Sequence, residues 1–387
     1  MDPIPYGRQS ISEDDIAAVE AVLRSDWLTQ GPTIARFEKA VADYAGARFA
    51  CAVNSATAAL HLACRALGLG PGDTLWTVPN TFVASANAAR YCGAAVDFVD
   101  IDPATYNLSV SALTEKLDRA ASEGRLPKAV MPVHFGGQSC DMREVAALAR
   151  RYGFRVIEDA SHAIGGDYLG RKVGACDYSD IAVFSFHPVK VITTGEGGML
   201  LCADASLHRA AELLRSHGVT RDAAEMDQTP DGAWYYQQVD LGFNYRMTDM
   251  QAALGLSQMQ RIDAFVERRR AIARRYDEAL AALPLGLPGR SALADSAWHL
   301  YVIQVDAARC GKSRKTVFDH LRSVGIQVNV HYIPVHLQPY YRRLGFRSGQ
   351  FPVAEHYYAQ AISLPLYAGL SEAQQTRVIE EVASALR

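Results

Sequence analysis

The sequence predicts an α/β fold in which a mostly parallel sheet forms a large domain and a smaller α/β domain follows. Short apolar segments typical of strands alternate with helical stretches, which is the pattern of parallel sheets connected by helices. The length of 387 residues is more than a single hydrophobic core usually supports. We therefore expect a large domain with an N-terminal extension over residues 1–255 and a small C-terminal domain over residues 256–387.

The first elements place small residues where a ligand can approach the backbone. A helix is expected over residues 12–25, because acidic residues in its first turn suit the helix dipole. The loop 26–32 follows, and its Trp27 either faces a ligand or plugs the core. A strand over 49–54 then runs into a helix over 55–67, whose free N–H groups suit a phosphate. Small residues also cap helices that bind no ligand, so this turn alone is weak evidence for a phosphate site.

Two of the next strands end in residues that carry chemistry. Asp159 and His162 follow one apolar segment, and Lys190 follows another that Pro188 interrupts. A loop lysine is most often a solvated charge. Ligands of open α/β sheets, however, bind at the carboxyl ends of the strands, so we expect Lys190, Asp159 and His162 to meet there. The strands expected in this part of the chain lie near residues 75–78, 95–99, 129–134, 154–159, 180–186 and 199–202.

The rest of the chain predicts one long loop and a second unit. Residues 220–238 are polar and aperiodic, which is typical of a functional or interfacial loop. A helix is expected over 249–280, and its arginines at 268–270 and 274–275 are expected to form a solvated face. The second unit has predicted strands at 300–305 and 326–330 and predicted helices at 314–323 and 372–386.

Composition excludes several classes of function. The net charge of -3 arises from 39 basic and 42 acidic residues that are mixed along the chain, so no nucleic-acid or anionic-membrane surface is expected. The seven cysteines form no C-x-x-C pair, which argues against structural zinc and iron–sulfur sites. His331 and His336 share no helical face, so we expect no metal. Without a signal or membrane-spanning segment, we expect a cytoplasmic protein with reduced thiols.

Five segments together resemble the DegT/DnrJ/EryC1/StrS family of pyridoxal-phosphate sugar aminotransferases. They lie in the same order as in that family and span nearly the whole chain: residues 54–60, 80–84, 156–162, 184–190 and 242–246. The resemblance implies fold type I of the pyridoxal-phosphate enzymes. It also implies a homodimer whose active sites are shared between subunits.

The resemblance implies a role for each cofactor-binding residue. Lys190 would form a Schiff base with pyridoxal 5'-phosphate and later carry protons. Asp159 would keep the pyridine nitrogen protonated, and His162 would bond the ring's phenolic oxygen. The remaining predicted cofactor contacts are Phe82 on the ring face, the turn Ser55, Ala56 and Thr57 with Ser185 at the phosphate, and Asn244 from the partner subunit.

Within the family, the resemblance favours the branch that serves pseudaminic acid biosynthesis. It implies that glutamate donates an amino group to C4 of a UDP-linked 4-keto-6-deoxy-N-acetylhexosamine. The alternative substrate is another 4-keto or 3-keto nucleotide sugar, linked to dTDP or GDP or of the bacillosamine or perosamine type. The expected substrate residues are Tyr6, Trp27, Leu28, Thr29, His331 and Tyr332, although these aromatic residues also suit a packed domain junction.

Two rival functions remain on the same fold. A sugar dehydratase would replace the Schiff-base lysine with histidine, which disfavours that function here because Lys190 is present. A regulatory protein without turnover is disfavoured because the catalytic positions are filled and no DNA-binding module is attached.

Overall fold

The computed structural model describes residues 2–387. We number helices and strands separately along the chain. The elements up to residue 259 are β1 Ile4–Pro5, α1 Glu13–Leu23, α2 Pro32–Ala45, β2 Phe49–Val53, α3 Ala56–Ala66, β3 Thr74–Thr77, α4 Val83–Tyr91, β4 Ala95–Phe98, α5 Val110–Ser122, β5 Ala129–Met131, α6 Met142–Tyr152, β6 Arg155–Asp159, β7 Asp167–Tyr168, β8 Arg171–Lys172, β9 Ile181–Ser185, β10 Gly198–Cys202, α7 Ala205–Arg215, β11 Val219–Thr220, β12 Gln237–Gln238 and α8 Asp249–Met259.

Ten further α-helices and β-strands follow within the described residues. They are α9 Ile262–Leu280, β13 Ala294–Asp295, β14 Tyr301–Gln304, α10 Ala307–Cys310, α11 Arg314–Ser323, β15 Ile326–Gln327, α12 Pro339–Arg343, α13 Pro352–Gln360, β16 Ala361–Leu364 and α14 Glu372–Ala385. Across residues 2–387, we find no helix with the length and hydropathy needed to cross a bilayer.

A seven-stranded sheet in the order β2-β10-β9-β6-β5-β3-β4 forms the centre of the molecule. Its strands are parallel except β10, which runs antiparallel to both β2 and β9. The predicted mostly parallel α/β sheet is therefore confirmed. Because β2 and β9 are both antiparallel to β10, they point the same way, and the carboxyl ends of β2, β3, β6 and β9 meet at one edge.

The second unit packs around its own buried residues. The strands β14 and β16 pair antiparallel, and β15 pairs in parallel with β1 from the start of the chain. The apolar cluster of this unit contains Ile4, Ile272, Tyr301 and Val378, all fully or almost fully buried. The second unit thus draws its core from both ends of the chain. The boundary between residues 255 and 256 stays a prediction.

The long helix expected over 249–280 is two helices in the structure. It breaks between α8 and α9, where Gln260 ends the first helix and Arg261 leaves the helical conformation. The buried carboxylate of Asp15 explains the break, since it accepts hydrogen bonds from Ser257 and Gln258 at 2.7 Å each and pairs with Arg261. The last turn of α8 is therefore anchored to α1.

The expectation of a solvated arginine face on α9 is wrong for one residue. Arg269 is only 1% exposed and lies inside the junction between α9 and the residues around 298 and 366. Its neighbour Arg270 instead forms ion pairs with Asp167 and Asp295. A run of arginines cannot reveal from sequence alone that one of them points inward.

We predict that Asp15→Ala destabilises the fold by about 2–4 kcal/mol near neutral pH, because it leaves Ser257, Gln258 and Arg261 without their acceptor. Burial opposes ionisation of Asp15, but its hydrogen bonds and Arg261 outweigh burial and lower its pKa. Because the pKa of Asp15 is lower in the folded state than its unfolded value of about 3.9, its ionisation stabilises the fold at pH values above about 3.9. That stabilisation is lost as the pH falls through the folded-state pKa. Urea denaturation followed by circular dichroism should therefore show that the free energies of unfolding of the wild type and the Asp15 variant come closer together as the pH is lowered.

The control for this prediction is Asp14→Ala, which removes an exposed carboxylate from the same helical turn. Its free energy of unfolding should match that of the wild type within about 0.5 kcal/mol. Equal stability of the Asp15 and Asp14 variants near neutral pH would contradict the anchoring role.

Candidate active site

A cavity of about 520 Å³ opens at the carboxyl edge of the sheet. Asp159 ends β6, and Lys190 follows β9 in the turn after Pro188. The two strands are neighbours in parallel register, with Asp159 opposite Val183. The predicted residues that line this cavity are Tyr6, Ser55, Ala56, Thr57, Phe82, Asp159, His162, Ser185, Lys190, His331 and Tyr332.

Four predicted site residues lie away from this cavity. Trp27 borders a separate groove between α1, α2 and α8. Its loop is held there because the buried Asp249 accepts N–H bonds from Gly31 at 2.7 Å and Thr33 at 2.9 Å. Leu28 and Thr29 belong to the same loop, and the substrate role of all three residues stays a prediction.

Asn244 is the fourth of these residues, and it is exposed. Its carbonyl accepts a 3.4 Å hydrogen bond from the Asn54 side chain, and its backbone pairs with Ser216. Within one chain it does not reach the cavity. Its predicted contribution to the partner subunit's site stays a prediction.

The carboxylate of Asp159 is held by two donors. The Ser85 hydroxyl donates to Oδ2 at 2.6 Å, and the Ser161 backbone N–H donates to Oδ1 at 3.1 Å. Thr81 lies 2.7 Å from the Ser85 hydroxyl and completes the chain of bonds. Asp159 is only 5% exposed, so these donors orient the carboxylate while each oxygen keeps a free lone pair for a donor in the cavity.

His162 is a neutral imidazole whose tautomer follows from its neighbours. Its Nδ1 accepts the Gly136 backbone N–H at 3.3 Å, so the proton lies on Nε2, which is 3.1 Å from the Tyr332 hydroxyl. Burial lowers the pKa of His162 well below its ordinary value, and the nearby Lys190 and His331 act in the same direction. His162 therefore offers the cavity an N–H donor that carries no charge.

Lys190 has an amine that is partly neutral near physiological pH. Burial in the cavity lowers its pKa from 10.5 to about 8, Asp159 opposes this shift, and Arg269 adds to it. A neutral amine is the form that attacks a carbonyl carbon. The cavity thus contains a poised nucleophile beside an oriented carboxylate.

One end of the cavity is lined by backbone donors at the start of α3. The Ser55 hydroxyl accepts the Ala58 N–H at 3.1 Å, and the first intrahelical bond comes from Ala59. The N–H groups of Ala56 and Thr57 precede that bond and are free for an anion at the positive end of the helix. Strand β10 passes very close here, since a Cβ on Gly198 would lie 2.6 Å from the Ala56 nitrogen.

Sequence reasoning missed several residues of this site. Thr81 immediately precedes the predicted Phe82 and Ser85 lies in the first turn of α4, so their closeness in sequence to Phe82 is the signal that could have found them. His299 lines the cavity 4.4 Å from His162, measured between ring centroids, and is only 4% exposed. No local pattern marks it, because it comes from the second unit. The other lining residues with polar side chains are Ser161, His187, Glu196 and Asn329.

Comparison with known proteins identifies the class of this site. Residues 9–383 match the DegT/DnrJ/EryC1/StrS aminotransferase family. The spore coat polysaccharide biosynthesis protein SpsC of Bacillus subtilis is 42% identical, over 98% of this chain and 96% of its own. The structure of Helicobacter pylori PseC, an aminotransferase involved in the biosynthesis of pseudoaminic acid, superposes with a TM-score of 0.91 at 30% identity, over 100% of this chain and 99% of its own.

A third relative connects the cavity to a cofactor. Spr1654 from Streptococcus pneumoniae is 30% identical, with a TM-score of 0.89 over 99% of both chains, and was solved in its PMP form; its PLP form is also similar to this chain. Pyridoxal 5'-phosphate fits the residues present here. The α3 donors and Ser185 suit its phosphate, Asp159 suits its ring nitrogen, and Lys190 suits its aldehyde.

We predict that Gly198→Ala weakens binding of pyridoxal 5'-phosphate by about tenfold or more, because the added methyl group displaces the N–H groups of Ala56 and Thr57 from the phosphate. Absorbance titration of cofactor-free protein would measure the dissociation constant. Gly70→Ala is the matched control, since a Cβ there has no atom within 4 Å. Unchanged binding in the Gly198 variant would show that the phosphate sits elsewhere.

Proposed function

The chain belongs to the DegT/DnrJ/EryC1/StrS aminotransferase family and is a pyridoxal-phosphate-dependent sugar aminotransferase, and from this premise we propose a specific reaction. We propose that it transfers the amino group of glutamate to C4 of a UDP-linked 4-keto-6-deoxy-N-acetylhexosamine, as in pseudaminic acid biosynthesis. The full-length likeness to Helicobacter pylori PseC is the observation that carries this proposal.

The residues around Lys190 divide the work of amino transfer among them. Pyridoxal phosphate supplies a carbonyl that captures amines and a ring that stores the electron pair of a substrate C–H bond. Lys190, whose lowered pKa leaves part of its amine neutral, would bind the cofactor's carbonyl carbon and, once released, would accept and return the proton of the substrate C–H bond. Asp159 would stabilise a positive charge on the ring nitrogen, and the Nε2–H of His162, which lies 3.1 Å from the Tyr332 hydroxyl in this structure, would donate to the phenolic oxygen.

The walls of the cavity suit a deoxy sugar. Tyr6, Phe82 and Tyr332 bring aromatic rings to it, and Val189 and Val330 add aliphatic surface. Such a surface accommodates a C6 methyl group, whereas a C6 hydroxyl buried there without a partner would cost roughly 1–3 kcal/mol. The neutral His331 and the amide of Asn329 lie beside Tyr6 and provide hydrogen bonds for the acetamido group or ring oxygens.

A second candidate substrate is another 4-keto or 3-keto nucleotide sugar. The similarity to SpsC, at 42% identity, favours an amino sugar destined for a surface polysaccharide. The two candidates share every step at Lys190 and differ only in the groups that contact the outer cavity.

We also propose that the enzyme is a homodimer in which Asn244 of the partner subunit completes each phosphate site. The loop that leads to Asn244 exposes large apolar side chains, with Trp234 71% and Leu241 72% exposed. Surfaces of this kind usually meet a partner. A second copy that covers them would bring its Asn244 toward a cavity other than its own.

We expect Lys190→Ala to reduce transamination by roughly 10³-fold or more, because it removes both the nucleophile and the proton carrier. The visible absorption band of the holoenzyme should disappear, while circular dichroism shows an intact fold. Lys39→Ala removes an exposed lysine that pairs with Asp43 and should leave activity unchanged. Substantial turnover in the Lys190 variant would place the reactive amine at another residue.

The substrate is tested with UDP- and dTDP-linked 4-keto-6-deoxy sugars, each with and without the C2 acetamido group, in the presence of glutamate. Mass spectrometry would follow the amino-sugar product. We expect the highest kcat/KM with the UDP-linked acetamido sugar. Faster turnover of a dTDP sugar that lacks the acetamido group would exclude the pseudaminic pathway and favour the second candidate.

The shared site is tested by co-expressing Lys190→Ala and Asn244→Ala chains with different affinity tags. Each variant alone should be nearly inactive. If Asn244 acts across the interface, a mixed dimer contains one intact site, and random pairing should restore about a quarter of wild-type activity. If Asn244 acts within its own chain, no mixed dimer has an intact site and no activity returns.

A further inference from the structure

Arg269 binds four backbone carbonyls at the junction behind the cavity. Its Nη1 donates to Leu366 at 3.1 Å, to Trp298 at 3.2 Å and to His299 at 3.4 Å. Its Nη2 donates to the carbonyl of Lys190 at 3.4 Å. One side chain on α9 therefore ties the backbone of the reactive lysine to two separate segments of the second unit.

This arginine has no counter-ion. No carboxylate in residues 2–387 lies within ion-pair distance of its guanidinium group, and its Nε has no hydrogen-bond partner. Burial lowers its pKa to about 10, so it stays charged near neutral pH. Burying an unpaired cation is costly, and an apolar side chain of similar size would fill the space without that cost. Packing alone therefore does not account for the charge.

We propose that Arg269 is a positioning residue for Lys190, which fixes the lysine's backbone against the second unit and places a positive charge behind its amine. The inference rests on the proposed aminotransferase function, since it assigns the charge a purpose in amine chemistry. Arg269 itself does not line the cavity.

The field at the Lys190 amine is a balance of a few groups. Asp159 stabilises the ammonium form and Arg269 destabilises it. The three buried imidazoles nearby are uncharged, because their pKa values are all lowered by burial first and by Lys190 second. The ionisable side chains that face the amine across the cavity are Asp159, His162, His187, Glu196, His299, His331, Tyr6 and Tyr332, with Arg269 behind it.

The sign of the effect follows from this balance. Removing the positive charge of Arg269 leaves Asp159 less opposed, so the pKa of Lys190 rises toward its ordinary value. At a given pH the neutral fraction then falls, and reactions that require the neutral amine shift to higher pH. Keeping a charge at position 269 but losing the four hydrogen bonds should instead impair the placement of Lys190 without the same shift.

The experiment compares Arg269→Met, Arg269→Gln and Arg269→Lys with Arg270→Met as control. Arg270 is the next residue on α9, and its loss removes ion pairs with Asp167 and Asp295 but no bond to the backbone of Lys190. Cofactor-free protein is treated with cyanate, which modifies only neutral amines, over a range of pH. Peptide mass spectrometry then gives the labelling rate at Lys190 and hence its pKa.

We expect the two neutral variants to raise the pKa of Lys190 by about one unit. Arg269→Lys should leave that pKa near the wild-type value but lower kcat of the holoenzyme by about tenfold. Arg270→Met should change neither quantity. The acid limb of the kcat profile should move with the labelling pKa in the neutral variants.

Two outcomes would overturn the inference. One is a wild-type pKa of Lys190 in the folded Met or Gln variant, and the other is unchanged kcat in all three Arg269 variants. Two neutral variants are used so that the test can still be made if either Arg269→Met or Arg269→Gln fails to fold. Cyanate labelling requires no substrate, so it tests the role of Arg269 independently of the sugar substrate. If the wild-type protein turned over none of the keto sugars, that result would contradict the proposed function but not the role of Arg269.

Discussion

Keeping an amine out of water beside a carboxylate is the constraint on which this site depends. The amine of Lys190 must lose enough hydration for its pKa to fall to about 8. The buried Asp159, which favours the ammonium form, must stay oriented without restoring the ordinary pKa. The surrounding polar groups fit both demands. The hydroxyl of Ser85 and the N–H of Ser161 orient the carboxylate, while the imidazoles contribute hydrogen bonds without adding charge. A water-filled cleft would return the amine to its ordinary pKa.

The sheet explains how such a cluster forms from distant parts of the chain. Strand β10 lies between β2 and β9 and runs antiparallel to both, so β2 and β9 point the same way. The start of α3, which follows β2, and the turn of Lys190, which follows β9, therefore lie at the same edge of the sheet. Gly198 then lets β10 approach the start of α3 closely. The backbone thus places the free N–H groups of α3 and the turn of Lys190 at the same edge of the sheet.

Much of this arrangement could be predicted from sequence, because strand ends are marked locally. Asp159 and Lys190 each follow a short apolar run, and parallel strands bring such ends together. Contacts set by tertiary packing could not be predicted. Trp27 lies in a groove formed with α2, a helix that sequence reasoning missed, and the break between α8 and α9 depends on Asp15, more than 200 residues away. The burial of Arg269 could not be predicted for the same reason, since its hydrogen-bond partners are backbone carbonyls of distant segments.

The pairing of β1 with β15 has a consequence for how the protein is made. Ile4 lies opposite Ile326, and Tyr6, just beyond the strand, forms part of the cavity wall. During synthesis the amino-terminal residues leave the ribosome first but have no partner until more than 300 further residues have been translated. The strands of the large sheet are all translated before then, whereas the wall of the cavity that contains Tyr6 needs β15. Until then the nascent chain lacks the segment that pairs with β1, and with it the side of the cavity formed by Asn329 and His331.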